Sequence, residues 1–294
     1  MIHGGGWSSG EKFDAELICK AFEKYGFIST TMSHTFLNGT YKEANMFRII
    51  DEITSAIKAI KIFLKKKGFD DNKLEMVIGG TSSGGHLSML YSYMIKNPPI
   101  PIKFIHQRVG PVTLEPKYYL STKVYNDSLD NIEPEDIEKA KVNGKLIPMN
   151  SYSKVMTNNF DLISYMNLAI GKKYNDNFYE IFLDIGKGEI NENSQKYIEL
   201  LNKAKYVFPV TYIDNKSIPT LCIYGGQDEY VGVAHYALLK ETFYKHVNNN
   251  ITLVYYKYGH HEVSIPDCED QKIKAIKEDE HLLEYVQKYL IQDN

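Results

Sequence analysis

Cysteine is scarce in this sequence: only Cys19, Cys222 and Cys268 occur among 294 residues, and no Cys-x-x-Cys pair is present. This spacing argues against a disulfide framework and against a structural zinc site. Long apolar runs are also missing, because no stretch approaches ~18 consecutive apolar residues, so no membrane-spanning helix is predicted. The sequence does not open on a basic and then apolar leader, so we expect no signal peptide.

An excess of one charge is absent as well. Lysine and arginine number 34 against 37 aspartate and glutamate residues, which gives a formal net charge of -3 and a pI near 6.3. Such a balance provides no bulk attraction to nucleic acid or to an anionic membrane, so we expect neither as a partner. The hydrophobic share of 43% and the charged share of 24% are typical of a globular protein. At this length we expect one catalytic domain over residues 1–294 with an insertion.

Short β-rich runs alternate with helical patterns along the chain, which favours an α/β fold with a mostly parallel sheet and helices on both faces. Most of the predicted strands are nearly continuous in apolar residues, as strands buried on both faces should be. The strands are predicted at 27–33, 74–79, 102–109, 220–224 and 251–256. Apolar residues at spacings of three and four predict helices at 45–67, 87–95 and 278–291.

The segment 114–214 breaks this alternation. It is rich in tyrosine, asparagine and charged residues, and it has helical candidates at 134–141, 162–169 and 193–203 but no clear strand. An insertion of this size is too long for a plain loop. We therefore predict a helical cap inserted between two strands of the core.

The most informative run is Gly80-Thr81-Ser82-Ser83-Gly84. Only Ser82 has a glycine two positions away on each side, and these glycines are needed where a serine sits on a strained strand-to-helix turn. The run follows a predicted strand and precedes a predicted helix, as that mechanism requires. We interpret Ser82 as a nucleophile and Ser83 as a backbone N–H donor to an oxyanion. A phosphate-binding turn is the alternative, although no Gly-Lys-Ser/Thr ending follows.

A second motif, His3-Gly4-Gly5-Gly6-Trp7, stands near the start. Glycines let backbone N–H groups turn toward a developing alkoxide, so Gly4 and Gly5 are candidate oxyanion donors.

With these two motifs in this order, the sequence resembles the α/β hydrolase family. The resemblance is to its His-Gly-Gly-Gly esterase branch, around hormone-sensitive lipase and the small bacterial acetyl and feruloyl esterases. It covers essentially the whole chain and implies the α/β hydrolase fold. The sequence departs from the family at Ser83, where alanine is commoner, and at His34-Thr35-Phe36, which replaces the usual Tyr-Arg.

The resemblance also implies a central strand directly before the oxyanion loop, preceded by two edge strands, yet only Met1 and Ile2 precede His3. That strand would lie between those predicted at 27–33 and 74–79. Without it, two central strands would have unpaired backbone edges, which buried structures do not tolerate. We expect a shortened chain with poor solubility or little activity, whose upstream strands and any leader lie outside it; a rearranged sheet or a partner strand is the alternative.

The acid and the base follow later strands. Asp228 comes just after the strand at 220–224, and such a residue in an open sheet points into the ligand crevice. The resemblance implies that Asp228 orients the histidine, with Glu229 as the alternative. After the last strand, Gly259-His260 matches the family's Gly-His pair, which implies that His260 is the general base. Metal binding by His260 and His261 lacks the His-x-x-x-His spacing of a zinc site.

The order Ser82, Asp228, His260 is the one expected of an α/β hydrolase. We therefore expect a serine esterase that forms an acyl-enzyme on a small-molecule ester, with short acyl or acetyl groups preferred and with no metal or cofactor. The same machinery would also serve an amidase or peptidase. A third possibility is an inactive fragment or binding module.

Overall fold

A computed structural model shows the arrangement of these segments. The residues it describes are 1–37, 45–115, 118, 141–142, 145–146, 193, 195–263 and 280–291.

The main sheet has four parallel strands in the order in which they occur along the chain. They are β1 (Met76–Thr81), β2 (Ile102–Arg108), β3 (Thr220–Gly225) and β4 (Ile251–Tyr256). Four of the five predicted strands are therefore confirmed, with ends that differ from the prediction by two residues at most. All six residues of β3 are buried, as their apolar sequence indicates.

The strand predicted at 27–33 is wrong over most of its length. Within it only Met32 forms a β-bridge, in parallel with Ile2, and Ile2 forms a second parallel bridge with Gly80. The Ile2 N–H donates to the Gly79 carbonyl at 2.8 Å, and the Met32 N–H donates to the Met1 carbonyl at 3.3 Å. Among the described residues, the β-bridging of this segment is thus limited to Met32. The predicted position of the segment before the oxyanion loop, between these two neighbours, is confirmed for Ile2.

Six helices lie in the described part of the chain. They are α1 (Glu16–Glu23), α2 (Met46–Lys66), α3 (Ser83–Met94), α4 (Gln195–Ala204), α5 (Val233–Lys245) and α6 (280–286), which continues as a π-helix over Gln287–Ile291. The predicted helices at 45–67, 87–95, 193–203 and 278–291 are confirmed within the described ranges, whereas α1 was not predicted. Helix α2 begins where the Asn45 side chain accepts from the Arg48 N–H at 3.0 Å. It ends just before Gly68, whose φ of 92° is typical of a helix terminus.

These helices cover both faces of the sheet. Side chains on β2 alternate between the faces, so that Ile105 packs in the core with α2, α3 and α5, while Phe104 packs in the second core. On that second face the Phe104 ring meets the Tyr285 ring of α6 at a centroid distance of 5.3 Å. The arrangement confirms the predicted class, a parallel sheet with helices on both faces.

The described parts of the segment 114–214 give a mixed result. Helix α4 lies where a helix was predicted, and two 3-10 turns follow it, Lys205–Val207 and Pro209–Tyr212. Lys141–Val142 and Lys145–Leu146 pair as short antiparallel strands, so the prediction that this segment has no strand is wrong. The Asn-Gly pair between them is the usual sequence signal for a two-residue hairpin. The helix predicted at 162–169, and all but the last residue of that at 134–141, lie outside the described residues.

Two cysteines belong to the core. Cys19 and Cys222 are both buried and free, and burial raises the pKa of Cys222 to about 12. A thiol held in that state is a poor nucleophile. Among the described helices, none combines the length and the apolar character needed to cross a membrane.

Three buried histidines predict a pH-dependent stability. Burial lowers the pKa of His86 to about 4, and burial lowers the pKa of His106 and of His235 to about 3, helped by neighbouring Arg108 and His86 respectively. The unfolded chain binds protons at these sites below its ordinary pKa of about 6.5, and the folded chain does not. The contribution of these neutral histidines to the free energy of unfolding is therefore fully present above about pH 6.5. It is lost as the pH falls, by ~2 kcal/mol per histidine at about pH 5.

Urea unfolding at about pH 7 and about pH 5 measures this loss. His106→Phe is the diagnostic variant, because the buried Nδ1 of His106 has no hydrogen-bond partner that the substitution would orphan. We expect this variant to lose ~2 kcal/mol less stability than the parent between the two pH values. An unchanged pH dependence would show that His106 does not resist protonation in the folded state.

Candidate active site

Ser82 lies on the tight turn between β1 and α3, as the glycine spacing predicts. Its φ of 55° and ψ of -123° fall in a region that residues with a Cβ rarely adopt. The turn is fixed at both ends, because the Ser82 N–H donates to the Arg108 carbonyl at 2.9 Å and the Ser82 carbonyl accepts from the His86 N–H at 3.0 Å. The backbone therefore holds this side chain at the carboxyl end of the sheet in a strained but well-supported conformation.

The two flanking glycines are required by close backbone contacts. A Cβ on Gly80 would lie 2.4 Å from the Ile2 carbonyl oxygen, and a Cβ on Gly84 would lie 2.1 Å from that same oxygen. Real Cβ atoms do not approach backbone oxygens this closely. The reason for glycine at these positions is thus the passage of residues 2–3 directly across the turn, in addition to the turn's own geometry.

His261 connects the serine to a carboxylate. Its Nε2 lies 2.9 Å from the Ser82 Oγ, and its Nδ1 lies 2.8 and 2.9 Å from the two carboxylate oxygens of Asp228. Because a carboxylate only accepts, Nδ1 carries the proton and Nε2 is left to accept from the serine hydroxyl. This is the geometry of a nucleophile, a base and an orienting acid.

The prediction that His260 would occupy this position is wrong. The His260 Nδ1 pairs instead with Glu229 Oε1, and it is His261 that meets both Ser82 and Asp228. The error is one residue along a turn, in which two adjacent side chains point in different directions. The turn is set by close packing of two glycines, since a Cβ on Gly225 would lie 2.3 Å from the Gly259 carbonyl oxygen.

Asp228 lies where it was predicted, after the end of β3. Its side chain is fully buried, and its Oδ1 accepts from the backbone N–H groups of Tyr230 and Val231, each at 2.8 Å. These two donors compensate the buried carboxylate and fix its orientation toward His261. The choice of Asp228 over Glu229 as the partner of the serine-bound histidine is therefore consistent with the observed contacts.

Glu229 contacts the histidine turn in a different way. Its Oε2 accepts from the His261 backbone N–H at 3.2 Å, while its Oε1 pairs with the His260 ring. Burial alone would raise the pKa of Glu229, but the hydrogen bonds from His260 and His261 outweigh it and leave the pKa below its ordinary value. The carboxylate thus joins the acid turn to the histidine turn beside the candidate triad.

The glycine loop at residues 4–6 lies against Ser82. A Cβ on Gly4 would lie 3.3 Å from the Ser82 Cβ, so the two residues are direct neighbours. Gly5, Gly6 and Trp7 follow with φ values of 105°, 57° and 58°, and the Gly5 carbonyl accepts from the Ser9 N–H at 3.0 Å. Three successive residues of positive φ thus form a tight turn directly after Gly4.

The predicted oxyanion donors make no internal hydrogen bond. Within the described ranges, the backbone N–H groups of Gly4, Gly5 and Ser83 donate no hydrogen bond. Ser83 is the first residue of α3, so its N–H also belongs to the positive end of that helix. These are the three residues that the sequence indicates as oxyanion donors, and their N–H groups are available to a ligand.

The departure at His34 is accounted for by packing. The His34 ring stacks on the His3 ring with centroids 4.6 Å apart and planes 9° from parallel, and both side chains are buried. Each ring places its Nδ1 against the carbonyl oxygen of the following residue, Gly4 or Thr35, at 2.7 and 2.9 Å. Burial lowers the pKa of His34 to about 4, so the stack pairs rings without a like-charge penalty. Nothing in the sequence pattern alone indicated this contact.

The described part of the chain contains no set of side chains suited to bind a metal ion. No group of three or more His, Cys, Asp or Glu side chains there has the geometry of a metal site. His260 and His261, the adjacent histidines, each contact a carboxylate.

Comparison with known proteins identifies the family and the fold of the chain. A family model described as BD-FAE matches residues 1–150 of the 294. No curated protein is significantly similar to the sequence. Solved structures of esterases align with nearly the whole chain and show that it has the α/β hydrolase fold.

Esterase Est2 of the planctomycete Thermogutta terrifontis, solved with butyrate bound, aligns with a TM-score of 0.57 at 16% identity, over 98% of this chain and 81% of that one. Carboxylesterase Cest-2923 of Lactobacillus plantarum aligns with a TM-score of 0.58 at 11% identity, over 98% and 84%. An acetyl ester-xyloside bifunctional hydrolase of Caldicellulosiruptor lactoaceticus aligns with a TM-score of 0.56 at 13% identity, over 98% and 81%.

The strained backbone at Ser82 yields a stability prediction. Ser82→Gly should unfold with a free energy about 1 kcal/mol higher than Ser82→Ala, because glycine relieves a positive φ that alanine keeps. Both variants lose the hydrogen bond to His261, so their difference isolates the backbone term. Urea unfolding of the two variants measures it, and equal stabilities would mean that the relieved strain does not exceed the conformational entropy that glycine adds to the unfolded chain.

Proposed function

We propose that this chain, which belongs to the BD-FAE family and is a carboxylic ester hydrolase, cleaves its substrates through an acyl-enzyme formed on Ser82. The observation that carries the proposal is the bridge made by His261. Its two ring nitrogens lie within hydrogen-bond distance of the Ser82 hydroxyl and of the buried Asp228 carboxylate. General acid–base catalysis requires this reach between base and nucleophile.

In the first half of the reaction, the Ser82 Oγ attacks the ester carbonyl carbon while His261 Nε2 takes the hydroxyl proton. Asp228 holds the ring in its Nδ1–H tautomer and stabilises the imidazolium that forms. The tetrahedral intermediate collapses, the carbon–oxygen bond to the alcohol breaks, and His261 returns the proton to the departing alcohol. In the second half, water replaces the alcohol: His261 removes its proton, and the acid is released from Ser82.

The developing oxyanion is proposed to accept from the N–H groups of Gly4, Gly5 and Ser83. Their support is the position of Gly4 beside the Ser82 side chain, the adjacency of Gly5 and Ser83 to these two residues in the chain, and the absence of an internal acceptor for any of the three N–H groups among the described residues. Removal of one such donor typically raises the barrier by about 3 kcal/mol. The helix dipole of α3 adds to the same stabilisation.

Short acyl groups are the proposed substrates, and two relatives support this choice. Est2 was solved with butyrate bound, and the Caldicellulosiruptor enzyme is described as acting on an acetyl ester. The segment 114–214 is proposed to be a cap over the site that selects among acyl groups.

The preference for short acyl groups can be tested with a series of esters. Initial rates on p-nitrophenyl acetate, butyrate and decanoate should fall with acyl length, and an aminoacyl anilide should react far more slowly than the acetate. Faster turnover of the anilide would favour the amidase.

Neighbouring serines provide a matched test of the nucleophile. Ser82→Ala should abolish hydrolysis of p-nitrophenyl acetate, because it removes the attacking oxygen. Ser83→Ala should retain most of it, because the Ser83 Oγ is buried without a hydrogen-bond partner and only the backbone N–H of Ser83 is used. Equal losses in the two variants would refute this assignment of the nucleophile.

Neighbouring histidines provide a second matched test. His261→Asn should lower kcat by at least ~10³-fold, since triad residues act as one unit. His260→Asn should stay within about tenfold of the parent, because asparagine keeps a donor for Glu229 and His260 does not meet Ser82. Steady-state kinetics on p-nitrophenyl acetate decide the matter, and the reverse ranking would restore His260 as the base.

A further inference from the structure

A buried hydrogen-bonded histidine connects the glycine loop to the rest of the site. The Trp7 Nε1–H donates to the His86 Nδ1 at 3.2 Å, and the His86 Nε2 lies 2.9 Å from the Val207 carbonyl oxygen. The His86 side chain is fully buried, and the Trp7 and His86 rings meet edge to face at 5.0 Å. One imidazole thus joins the loop, helix α3 and the 3-10 turn at Lys205–Val207.

The partners fix the protonation of this ring. An indole N–H can only donate, so the His86 Nδ1 must be an acceptor, and a carbonyl oxygen can only accept, so the His86 Nε2 must carry the proton. A second proton on Nδ1 would place a donor against the Trp7 donor. Burial agrees with this requirement, since it lowers the pKa of His86 to about 4. His86 is therefore a neutral ring that uses both of its nitrogens.

Trp7 needs such support. It is a non-glycine residue with a φ of 58°, and bulky residues in that region are uncommon unless their surroundings hold them there. Its carbonyl accepts from the Leu37 N–H at 2.8 Å, and its side chain is 5% exposed. The indole is thus an anchor for the turn formed by Gly5 and Gly6, which immediately follows Gly4.

His86 is also tied to the nucleophile. It lies in the first turn of α3, four residues after Ser82, and its backbone N–H donates to the Ser82 carbonyl at 3.0 Å. A displacement of the His86 ring therefore changes the position of Trp7 relative to a helix that begins at the nucleophile. The distance between the oxyanion donors of the loop and the Ser82 Oγ depends on this link.

We propose that His86 is a positioning residue, which acts through the Trp7 indole to hold the N–H groups of Gly4 and Gly5 at the oxyanion of Ser82. This inference rests on the proposed function, because it assigns to the loop the task of binding the oxyanion. His86 itself touches neither the substrate nor the reacting atoms. Its effect is on the geometry of the transition state, and ground-state binding of the ester is left nearly unchanged.

The experiment compares Trp7→Phe, His86→Leu and His86→Gln in the full chain, with p-nitrophenyl acetate as substrate. Trp7→Phe and His86→Leu each remove the indole–imidazole hydrogen bond, whereas glutamine supplies one acceptor and one donor in place of the ring. Active sites are counted by the burst of p-nitrophenol released from a p-nitrophenyl phosphonate, so that kcat refers to folded sites only. Inhibition by a trifluoromethyl ketone, which forms an oxyanion on the serine, reports on the donors directly.

We expect His86→Leu and Trp7→Phe to lower kcat per titrated site by about 10- to 10²-fold, the scale of a misplaced or lost donor, with KM changed less than about twofold. The inhibition constant of the ketone should rise by the same factor as kcat/KM falls. His86→Gln should recover to within about threefold of the parent, and the double variant should be no slower than His86→Leu because both changes remove one interaction.

Two results would overturn the proposal. One is a His86→Leu enzyme with parental kcat per titrated site, and the other is a His86→Gln enzyme as slow as His86→Leu. If His86→Leu does not fold, Trp7→Phe tests the same hydrogen bond, and parental kcat in that variant is equally decisive. Ser82→Ala distinguishes failure of the proposed function from failure of this inference. If Ser82→Ala still hydrolyses the ester, both the proposed function and the role of His86 are refuted. If Ser82→Ala is inactive while His86→Leu keeps parental activity, only the role of His86 is refuted.

Discussion

The site depends on one backbone contact, the passage of residues 2–4 across the turn that carries Ser82. The Ile2 carbonyl oxygen would lie only 2.4 Å from a Cβ on Gly80 and 2.1 Å from a Cβ on Gly84. Two chain segments can approach this closely only if neither flanking residue has a side chain. This contact sets the distance from Gly4 to Ser82, and with it the distance from the proposed oxyanion donor to the proposed nucleophile.

The parts of the site that were predictable are those fixed by local chemistry. A strand-to-helix turn with a reactive serine needs small flanking residues, and an oxyanion loop needs glycine, so Ser82 and Gly4 could be identified from the residues near them in sequence. Four of five strands followed from apolar runs for the same reason. The fifth failed because strand formation depends on a partner as well as on the segment's own sequence: among the described residues, the one β-bridge of residues 27–33 joins Met32 to Ile2.

The histidine that contacts Ser82 is His261, one residue after the predicted His260, and the physical reason for this difference is non-local. Two acidic residues face two histidines, and each assignment of pairs satisfies the chemistry equally well. The observed pairing is His261 with Asp228 and His260 with Glu229. This pairing is decided by how the two turns pack against each other through Gly225 and Gly259. That contact joins distant parts of the chain, so it cannot be read from the local sequence of either turn. Burial then distinguishes the pairs, because Asp228 is enclosed with two backbone donors while the side chain of Glu229 is 30% exposed.

Neutral histidines hold the oxyanion loop from two sides. His34 stacks on His3 at the start of the loop, and His86 accepts from Trp7 at its end. A neutral imidazole offers one donor and one acceptor on a flat apolar body, so it can satisfy backbone carbonyls in a low-dielectric interior without a counter-ion. Lysine or arginine at these positions would bring a buried charge that needs a partner.

Apolar side chains alone could also hold the loop in place. Packing of apolar side chains limits how far the loop moves but does not fix the direction of its backbone groups. Hydrogen bonds to Gly4 and Trp7 also fix direction, and direction is what oxyanion donors require, since they stabilise charge only where it develops. The same choice carries a cost, because the buried imidazoles of His34 and His86 resist protonation and tie the fold to the pH range above their ordinary pKa. Preorganisation of the loop and acid sensitivity of the fold are therefore linked through His34 and His86, which contact the loop and have lowered pKa values.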